Sequence, residues 1–172
     1  LTASSALRAG EVGLRYAGRI PATGGVAPLR WSVASGALPA GLTLDGATGA
    51  VRGVPRRSGS FGVTFAVTDA AGQSATVPAS IRIAARLAVA TGRLPAGTLG
   101  SAYSSRLRAR GGVAPTTWRV VRGSLPSGVL LDRRTGALTG TPRKAGIFRF
   151  TVEARDRLGA RSTKAFRLTV LG

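Results

Sequence analysis

The chain has 172 residues, 44% of them hydrophobic, with 25 glycines and 9 prolines, so it can build a core and must make many turns. It contains no cysteine and no histidine, which excludes disulfides, thiolate chemistry and the commonest general base and metal ligand. The net charge is +19, from 25 basic and 6 acidic residues, and all but two of the basic residues are arginine. No segment approaches 18 consecutive apolar residues, so we expect no membrane insertion.

The sequence aligns on itself without a gap when it is shifted by 87 residues. From residue 11 onward, about 29 of 75 paired positions are identical. GGVAP occurs at 24–28 and again at 111–115, and each copy is followed by a tryptophan three residues later. A period this long indicates duplication of a whole domain rather than a short solenoid repeat. The sequence therefore predicts two domains, residues 1–86 and residues 87–172.

Alternating apolar and polar residues predict β-strands along the chain. The first plausible strand covers residues 1–9, and it could pair within its own domain or be exchanged with another chain. The expected inward-facing sets after it, in chain order, are Leu29, Trp31 and Val33; Phe61, Val63, Phe65 and Val67; Phe148, Phe150, Val152 and Ala154; and Phe166, Leu168 and Val170. The residues between them, such as Arg149, Glu153, Arg155 and Arg167, are expected to face solvent, as is Arg119 next to Trp118.

Turn signals recur at short intervals, and no window shows the 3.6-residue period of a helix. The junction at residues 79–90 has neither glycine nor proline, which predicts a short linker with limited bending. Roughly seven strands in each copy is the pattern of a β-sandwich. The predicted fold class is therefore all-β, with two tandem immunoglobulin-like β-sandwich domains.

Five separated motifs carry a family resemblance. They are GG-x-x-P-x-x-W, L-P-x-G-L-x-L-D, T-G-x-x-x-G-x-P, A-G-x-F-x-F-x-V and D-x-x-G, in the same order in both copies. This order resembles the immunoglobulin-like (cadherin-like) tandem repeat family of bacterial surface and secreted proteins. The resemblance implies a spacer, an adhesive unit or an appendage to an enzyme, and it carries over no functional residues. Leu29 and Thr116 stand where the family often has an aromatic residue, and the strong positive charge is a second departure.

The acidic residues are the first candidates for chemistry. LDGATGAVRGVP at 44–55 returns as LDRRTGALTGTP at 131–142, so Asp45 and Asp132 occupy equivalent positions. A catalytic aspartate or a calcium site would need further carboxylates nearby, and each copy has only three acidic residues. We therefore expect tight turns here, and Asx turns at Asp69 and Asp156. The sequence predicts no catalytic residue, no cofactor and no metal, and hence no enzyme.

The aromatic residues give a second set of candidates. Trp31 and Trp118 have apolar neighbours two residues away on predicted strands, which favours core packing over a sugar-stacking platform. Tyr16 and Tyr103 are the best candidates for partial exposure, although their recurrence at one position in each domain favours packing for them too.

The basic surface gives the third set. In SRLRARGG, alternate arginines would share one face of a strand. Possible contacts to a polyanion are Arg106, Arg108, Arg110, Arg133, Arg134 and Arg149. The competing interpretation is a solvated surface that reflects only an arginine-rich coding sequence. Nucleic acid is an unlikely partner, because no aromatic residues are interleaved with these arginines.

The favoured function is a structural and interaction module of an extracellular or cell-surface bacterial protein, in a stalk or a self-assembling fibre. Its partners would be other copies of itself or neighbouring repeats of a longer chain. The alternative is a non-catalytic binding module appended to a secreted enzyme, which would contact anionic cell-wall or glycan polymers. Because the chain begins at Leu1 and lacks methionine, we expect it to be a processed product or a piece of a longer protein.

Overall fold

Short alternating segments and frequent glycine turns produce nine strands in each half of the chain. The computed structural model describes residues 1–172 and divides into two units, Leu1–Ala85 (unit 1) and Arg86–Gly172 (unit 2). The strands of unit 1 are β1 (Thr2–Ala3), β2 (Gly10–Glu11), β3 (Tyr16–Arg19), β4 (Ala22–Thr23), β5 (Arg30–Gly36), β6 (Leu42–Leu44), β7 (Ala50–Gly53), β8 (Gly59–Thr68) and β9 (Ser74–Ala84).

Unit 2 repeats this pattern. Its strands are β10 (Ala88–Val89), β11 (Gly97–Thr98), β12 (Tyr103–Arg106), β13 (Ala109–Arg110), β14 (Thr117–Gly123), β15 (Val129–Leu131), β16 (Ala137–Gly140), β17 (Gly146–Arg155) and β18 (Arg161–Leu171). The structure has no helix that could cross a membrane.

Each unit contains the same three sheets. The four-stranded sheet has the order β2-β9-β8-β5 in unit 1 and β11-β18-β17-β14 in unit 2. The three-stranded sheet has the order β3-β7-β6 or β12-β16-β15, and β1-β4 or β10-β13 form a small pair. Within the four-stranded sheets the first pair, β2 with β9 or β11 with β18, is parallel, and the others are antiparallel. This topology confirms the predicted all-β class.

The core of each unit comes from the inward residues of its long strands. Val63, Phe65 and Val67 of β8 are at most 3% exposed, and Phe150 and Val152 hold the corresponding positions of β17. Burying one such side chain contributes about 1.5–3 kcal/mol, so these alternating residues account for much of the driving force for folding. The alternation predicted for residues 61–67, 148–154 and 166–170 is confirmed, although Phe61 and Phe148 at the strand ends are only half-buried.

Two predictions about individual segments need correction. Val33 lies directly opposite buried Phe65, on the inner face as predicted, but on the edge strand β5 it is 37% exposed. Residues 1–9 do not form one strand. Only Thr2–Ala3 does, and it pairs with Ala22–Thr23 of its own unit.

The two tyrosines are 6% and 5% exposed, so the packing that their recurrence predicts is confirmed. The hydroxyl of Tyr16 donates to the Arg8 carbonyl at 3.1 Å, and that of Tyr103 donates to the Pro95 carbonyl at 3.2 Å. Burial raises the pKa of both hydroxyls, so both stay protonated donors at neutral pH. Each tyrosine thus holds the segment eight residues before it against its own unit.

Each tryptophan packs over the glycine of the recurrent Asp-x-x-Thr-Gly turn. Trp31 is 9% exposed, and a Cβ added at Gly49 would lie 2.7 Å from its Nε1. A Cβ added at Gly136 would lie 2.9 Å from Nε1 of Trp118. Both glycines also have a positive φ, 69° and 73°, which other residues adopt only with strain. The turn therefore requires glycine for its backbone and for the indole that covers it.

A second aspartate clamps the loop that precedes each tryptophan strand. One carboxylate oxygen of Asp69 accepts the backbone N–H of Val26 at 2.9 Å, and the other accepts those of Ala71 and Gln73 at 3.0 and 2.8 Å. Hydrogen bonds to the charged carboxylate, the one from Val26 foremost, lower the pKa of Asp69 below its ordinary value of 3.8. The Asx turn predicted at Asp69 is confirmed, and the same residue reaches across to the GGVAP loop.

The tryptophan–glycine contact predicts that Gly49→Ala destabilises unit 1 more than Gly72→Ala does. Gly72 also has a positive φ, 81°, but nothing lies within 4 Å of its added Cβ, so Gly72→Ala measures backbone strain alone, about 1–2 kcal/mol. Gly49→Ala adds clashes with the Trp31 indole and with the Ile20 carbonyl, both 2.7 Å from the added Cβ, which should cost about a further 1–3 kcal/mol. Urea unfolding followed by Trp31 fluorescence, in a Trp118→Phe background, measures both. Equal losses for the two variants would contradict the contact.

The Asp69 clamp predicts a pH-dependent contribution to stability. Because the pKa of Asp69 is lowered by folding, its contribution is complete above the unfolded pKa near 3.8 and is lost as the pH falls below it. Asp69→Asn should therefore lower the free energy of unfolding at pH 7, and the difference from wild type should shrink as the pH falls below about 3.9. Denaturation of both proteins across this range, read at Trp31, checks it. A constant difference would show that the carboxylate charge is not involved.

Candidate functional site

The aspartates that first suggested a catalytic or metal site serve as turn residues. Asp45 accepts the backbone N–H groups of Ala47 and Thr48 on one carboxylate oxygen, at 2.9 and 3.1 Å. Asp132 accepts those of Arg134 and Thr135, both at 2.8 Å. These hydrogen bonds lower the pKa of both carboxyls, for Asp45 chiefly through Ala47 and for Asp132 chiefly through Thr135. A carboxylate stabilised in this way is a poor general base.

No acidic residues come together elsewhere in a way that suits a metal ion. No group of three or more acidic side chains is close enough to hold one. Asp156 repeats the clamp of unit 1, accepting the N–H groups of Val113 at 2.7 Å and Ala160 at 2.9 Å. Glu11 is 1% exposed. The acidic residues of this chain thus position the backbone or are buried, and Glu153 also pairs with arginines.

The six arginines predicted as polyanion contacts do not form one patch on a strand. Arg106 ends β12 and pairs with Ala137, whereas Arg110 lies on β13 and pairs with Ala88 of a different sheet. All three arginines of SRLRARGG are exposed, but the strand is interrupted at 107–108. The prediction that they share a face of one strand is therefore wrong, because buried Leu107 turns the chain between two sheets.

Arg106 has a structural partner that its counterpart in unit 1 shares. Its Nε donates to the carbonyl of Thr135 at 3.0 Å, and Nε of Arg19 donates to that of Thr48 at 3.1 Å. Arg19 and Arg106 are identical residues of the two copies, 87 positions apart. This recurrence indicates that Arg106 braces the Asp132 turn, beside which Arg133 and Arg134 are also exposed.

The structure does assemble a different arginine cluster on the outer face of the unit 2 four-stranded sheet. Six exposed arginines project from it, two on each of three neighbouring strands, and we call this surface the arginine face. Its members are Arg119 and Arg122 on β14, Arg149 and Arg155 on β17, and Arg161 and Arg167 on β18. Of the six predicted contacts, only Arg149 belongs to it.

The register of the strands fixes the spacing of the arginine face. Arg149 pairs directly with Arg167, and Arg155 pairs directly with Arg161. Arg119 pairs with Glu153, the one acidic residue on this surface. Residues 149 and 155 are six positions apart on one strand, which places them about 20 Å from each other. The result is a broad positive surface with a single negative charge inside it.

Glu153 was expected to face solvent, and it is instead 7% exposed because arginines cover it. Its Oε1 accepts from Nε of Arg119 at 2.9 Å, and its Oε2 lies 3.7 Å from Nη1 of Arg161. The hydrogen bond from Arg119, with the positive charge around it, lowers the pKa of Glu153 and raises that of Arg119. Arg133 and Arg155 join this group around a cavity of about 300 Å³.

The same surface of unit 1 carries only two exposed arginines, Arg30 opposite Thr68 and Arg82 opposite Ser60. The residues that correspond to the six arginines are Ser32, Ser35, Gly62, Thr68, Ser74 and Ser80, in the same chain order. They occupy the same registers, with Gly62 opposite Ser80 and Thr68 opposite Ser74. Ala66 stands where unit 2 has Glu153. The two units therefore share a sheet and differ in the charge of its outer face.

Sequence reasoning identified Arg119, Arg149, Arg155 and Arg167 as outward-facing and missed that they belong together. Arg122 and Arg161 were not singled out at all. The alignment of the two copies contains evidence for this surface. In it, arginine repeatedly replaces serine, threonine or glycine at alternate strand positions, which face the same side of a sheet. Alternation along β14 does not predict that Arg122 faces outward with Arg119, because the bulge after Val120 shifts the register by one residue.

Similarity to curated proteins points to surface adhesins. The chain is 28% identical over 138 residues to the "Serine-rich adhesin for platelets" of Staphylococcus aureus strain MRSA252, and equally so to that of strain MSSA476. The match covers 77% of this chain but only 10% and 6% of the two adhesins. The chain thus corresponds to a small part of those proteins.

Two of the similar solved structures match nearly the whole of this chain. An I-band fragment of titin matches 99% of this chain and 64% of its own, with 13% identity and a TM-score of 0.48. Protocadherin Gamma B2 extracellular cadherin domains 3–6 match 99% of this chain and 50% of theirs, with 16% identity and a TM-score of 0.47.

The family profile is more specific than either similarity. The profile described as "Putative Ig domain" matches twice, at residues 1–84 and at residues 87–171. These two matches account for nearly the whole chain, and each covers one of the two β units. The chain belongs to the "Putative Ig domain" family, as a tandem pair of its immunoglobulin-like repeats.

Proposed function

We propose that this tandem pair is a non-catalytic structural and interaction module of an extracellular, cell-surface protein. The observation that carries the proposal is the contrast between a repeated scaffold and a changed surface. Both units keep the buried tryptophan, the tyrosine hydroxyl bond and two aspartate-pinned loops. The outer face of one sheet differs between them. A duplicated scaffold that varies in its exposed residues suits a repeat whose contacts are made by its surfaces.

The similarity to adhesins supports the location. The matched adhesins carry a platelet-adhesion name, and the matched segment is a minor part of them. We transfer from them only the context of a bacterial surface protein, and we propose that the present chain occupies the same kind of place in a longer polypeptide. A spacer within a stalk fits a tandem repeat whose N-terminal strand already pairs inside its own unit.

A stalk is favoured over a self-assembling fibre by the charge of an exposed strand. β14 is an edge strand of its sheet, and an unpaired edge can accept a strand from another molecule. Arg119 and Arg122 lie on this edge, and charged side chains on edge strands oppose such pairing. Strand exchange through residues 1–9 is also disfavoured, since Thr2–Ala3 pairs with β4 and the N–H of Ser4 donates to the Pro21 carbonyl at 3.1 Å.

This proposal predicts a monomer at all accessible concentrations. Sedimentation velocity over a hundredfold range of protein concentration, at roughly 0.15 M salt, should give one unchanged sedimentation coefficient. The matched variant Arg119→Ser/Arg122→Ser has on β14 the serines that unit 1 has on β5, and it reports whether the charges alone keep the edge unpaired. Fibres or concentration-dependent association of the wild-type chain would contradict the stalk and favour the fibre.

A second candidate function is a binding module that holds a secreted enzyme on an anionic surface. The arginine face favours it, because six arginines on one sheet surface are matched there by a single acid. Stalk and appendage differ in what the rest of the polypeptide contains. Further repeats on either side would support the stalk, and an adjoining catalytic domain would support the appendage.

A further inference from the structure

The arginine face is costly to the fold, which indicates that it is kept for a purpose other than folding. Like charges placed directly opposite one another on neighbouring strands are destabilising, and Arg149–Arg167 and Arg155–Arg161 are two such pairs. Unit 1 forms the same sheet with Gly62–Ser80 and Thr68–Ser74 in these registers. The arginines are therefore not required to build the sheet.

An arginine-rich composition alone does not account for this distribution. Composition would scatter arginine evenly over the exposed positions of both units, whereas this one surface carries six arginines in unit 2 and two, Arg30 and Arg82, in unit 1. The chain has two salt bridges, and both are to Glu153. Arg122, Arg149, Arg155 and Arg167 have no acidic partner within the protein, so their charge is available to an external anion.

Glu153 organises the centre of the surface rather than neutralising it. Its two oxygens hold Arg119 and Arg161, one from each neighbouring strand. The guanidinium groups are planar forks that pair with carboxylate or sulfate through two parallel hydrogen bonds. A held guanidinium loses less freedom on binding than a mobile one. The cavity lined by Arg119, Arg133, Arg155 and Arg161 gives one anionic group a place between four of them.

The layout fits a polymer better than a single small anion. The positive charges extend over about 20 Å of an open sheet surface, from Arg149 to Arg155. Each exposed ion pair contributes little by itself, so useful binding needs several of them at once. A chain that carries an anionic group at regular intervals can engage both opposed arginine pairs and the Glu153 centre together.

The aromatic residues near this surface argue against nucleic acid. Single strands are bound largely by stacking of bases on exposed aromatic side chains. Trp118, Phe150 and Phe166 are 5%, 3% and 6% exposed, and they belong to the core beneath the sheet. No platform for bases is left on the arginine face, whereas the charges of an acidic glycan need only the guanidinium groups.

We propose that the arginine face of unit 2 is the binding site for a linear acidic polysaccharide, with unit 1 as a less strongly charged spacer. The site uses bidentate pairing of Arg119, Arg122, Arg149, Arg155, Arg161 and Arg167 with sulfate or carboxylate groups. This binding site rests on the proposed function as an interaction module, and it names the chemical class of the module's partner. If the chain bound no polysaccharide, the site would be rejected, while the sedimentation test of the stalk would be unaffected.

The test compares two variants of equal net charge in the full chain. The face variant carries the unit 1 residues: Arg119→Ser, Arg122→Ser, Arg149→Gly, Arg155→Thr, Arg161→Ser and Arg167→Ser. The control variant removes six exposed arginines elsewhere: Arg15→Ser, Arg56→Ser, Arg57→Ser, Arg108→Ser, Arg110→Ser and Arg143→Ser. Fluorescence anisotropy with labelled heparin, polygalacturonate and duplex DNA oligomers measures binding at about 0.05 M salt.

We expect wild type to bind at least one of the two polysaccharides more tightly than DNA, with an affinity that falls steeply as salt is added. The face variant should lose at least about tenfold in affinity, since it loses several simultaneous ion pairs, and the control variant no more than about threefold. Equal losses would show that binding follows net charge alone. Tighter binding of DNA, or no binding of either polysaccharide by wild type, would also overturn the proposal.

A gain-of-function variant of the wild-type chain keeps the test decisive if the face variant folds poorly. Ser32→Arg, Ser35→Arg, Gly62→Arg, Ala66→Glu, Thr68→Arg, Ser74→Arg and Ser80→Arg place the same pattern on unit 1 and leave unit 2 unchanged. The graft should bind about twice as many polysaccharide oligomers per chain as wild type, because the registers are the same in the two sheets. A folded graft with the stoichiometry of wild type would contradict a site made by these residues alone.

Discussion

The fold depends on carboxylates that accept backbone N–H groups. In each unit one aspartate closes the turn after the LTL or VLL strand, and another ties the hairpin between the two longest strands to the GGVAP loop. These loops carry the polar backbone groups that the sheets do not satisfy, and an unsatisfied buried group is expensive. Four of the six acidic residues serve this purpose, which explains why an all-β chain so poor in acids keeps them at equivalent places.

The pinned loops in turn position the aromatic core. The backbone N–H of Trp31 donates to the Gly46 carbonyl at 2.9 Å, inside the turn that Asp45 closes, and the N–H of Trp118 donates to the Arg133 carbonyl at 2.8 Å. The indole then lies over the glycine that ends the turn. Aspartate, glycine and tryptophan therefore act together to hold the fold, and the outer faces of the sheets are not needed for it. Equivalent positions on these faces can therefore differ between the units, as Ser32 and Arg119 do.

Much of this was readable from the sequence, because the signals were local or repeated. Alternation identified the long strands, and recurrence at a fixed offset identified the duplication and the turns. The failures came from contacts between distant segments. Residues 1–9 form only a short strand because Thr2–Ala3 pairs with β4, and Glu153 is covered because arginines of the two neighbouring strands contact it. The arginine face joins three strands, so no single stretch of sequence displays it.

The parallel pairing of β2 with β9 has a mechanical consequence. In the sequence, β2 is near the start of unit 1 and β9 is at its end, and the two strands pair with Gly10 beside Ile83. β11 and β18 repeat the arrangement in unit 2, with Gly97 beside Val170. A pull on the two ends of a unit drives such strands past each other, so their hydrogen bonds bear the load together in shear rather than opening one by one. A tether under flow would be held by these short strand pairs at the margins of each sheet.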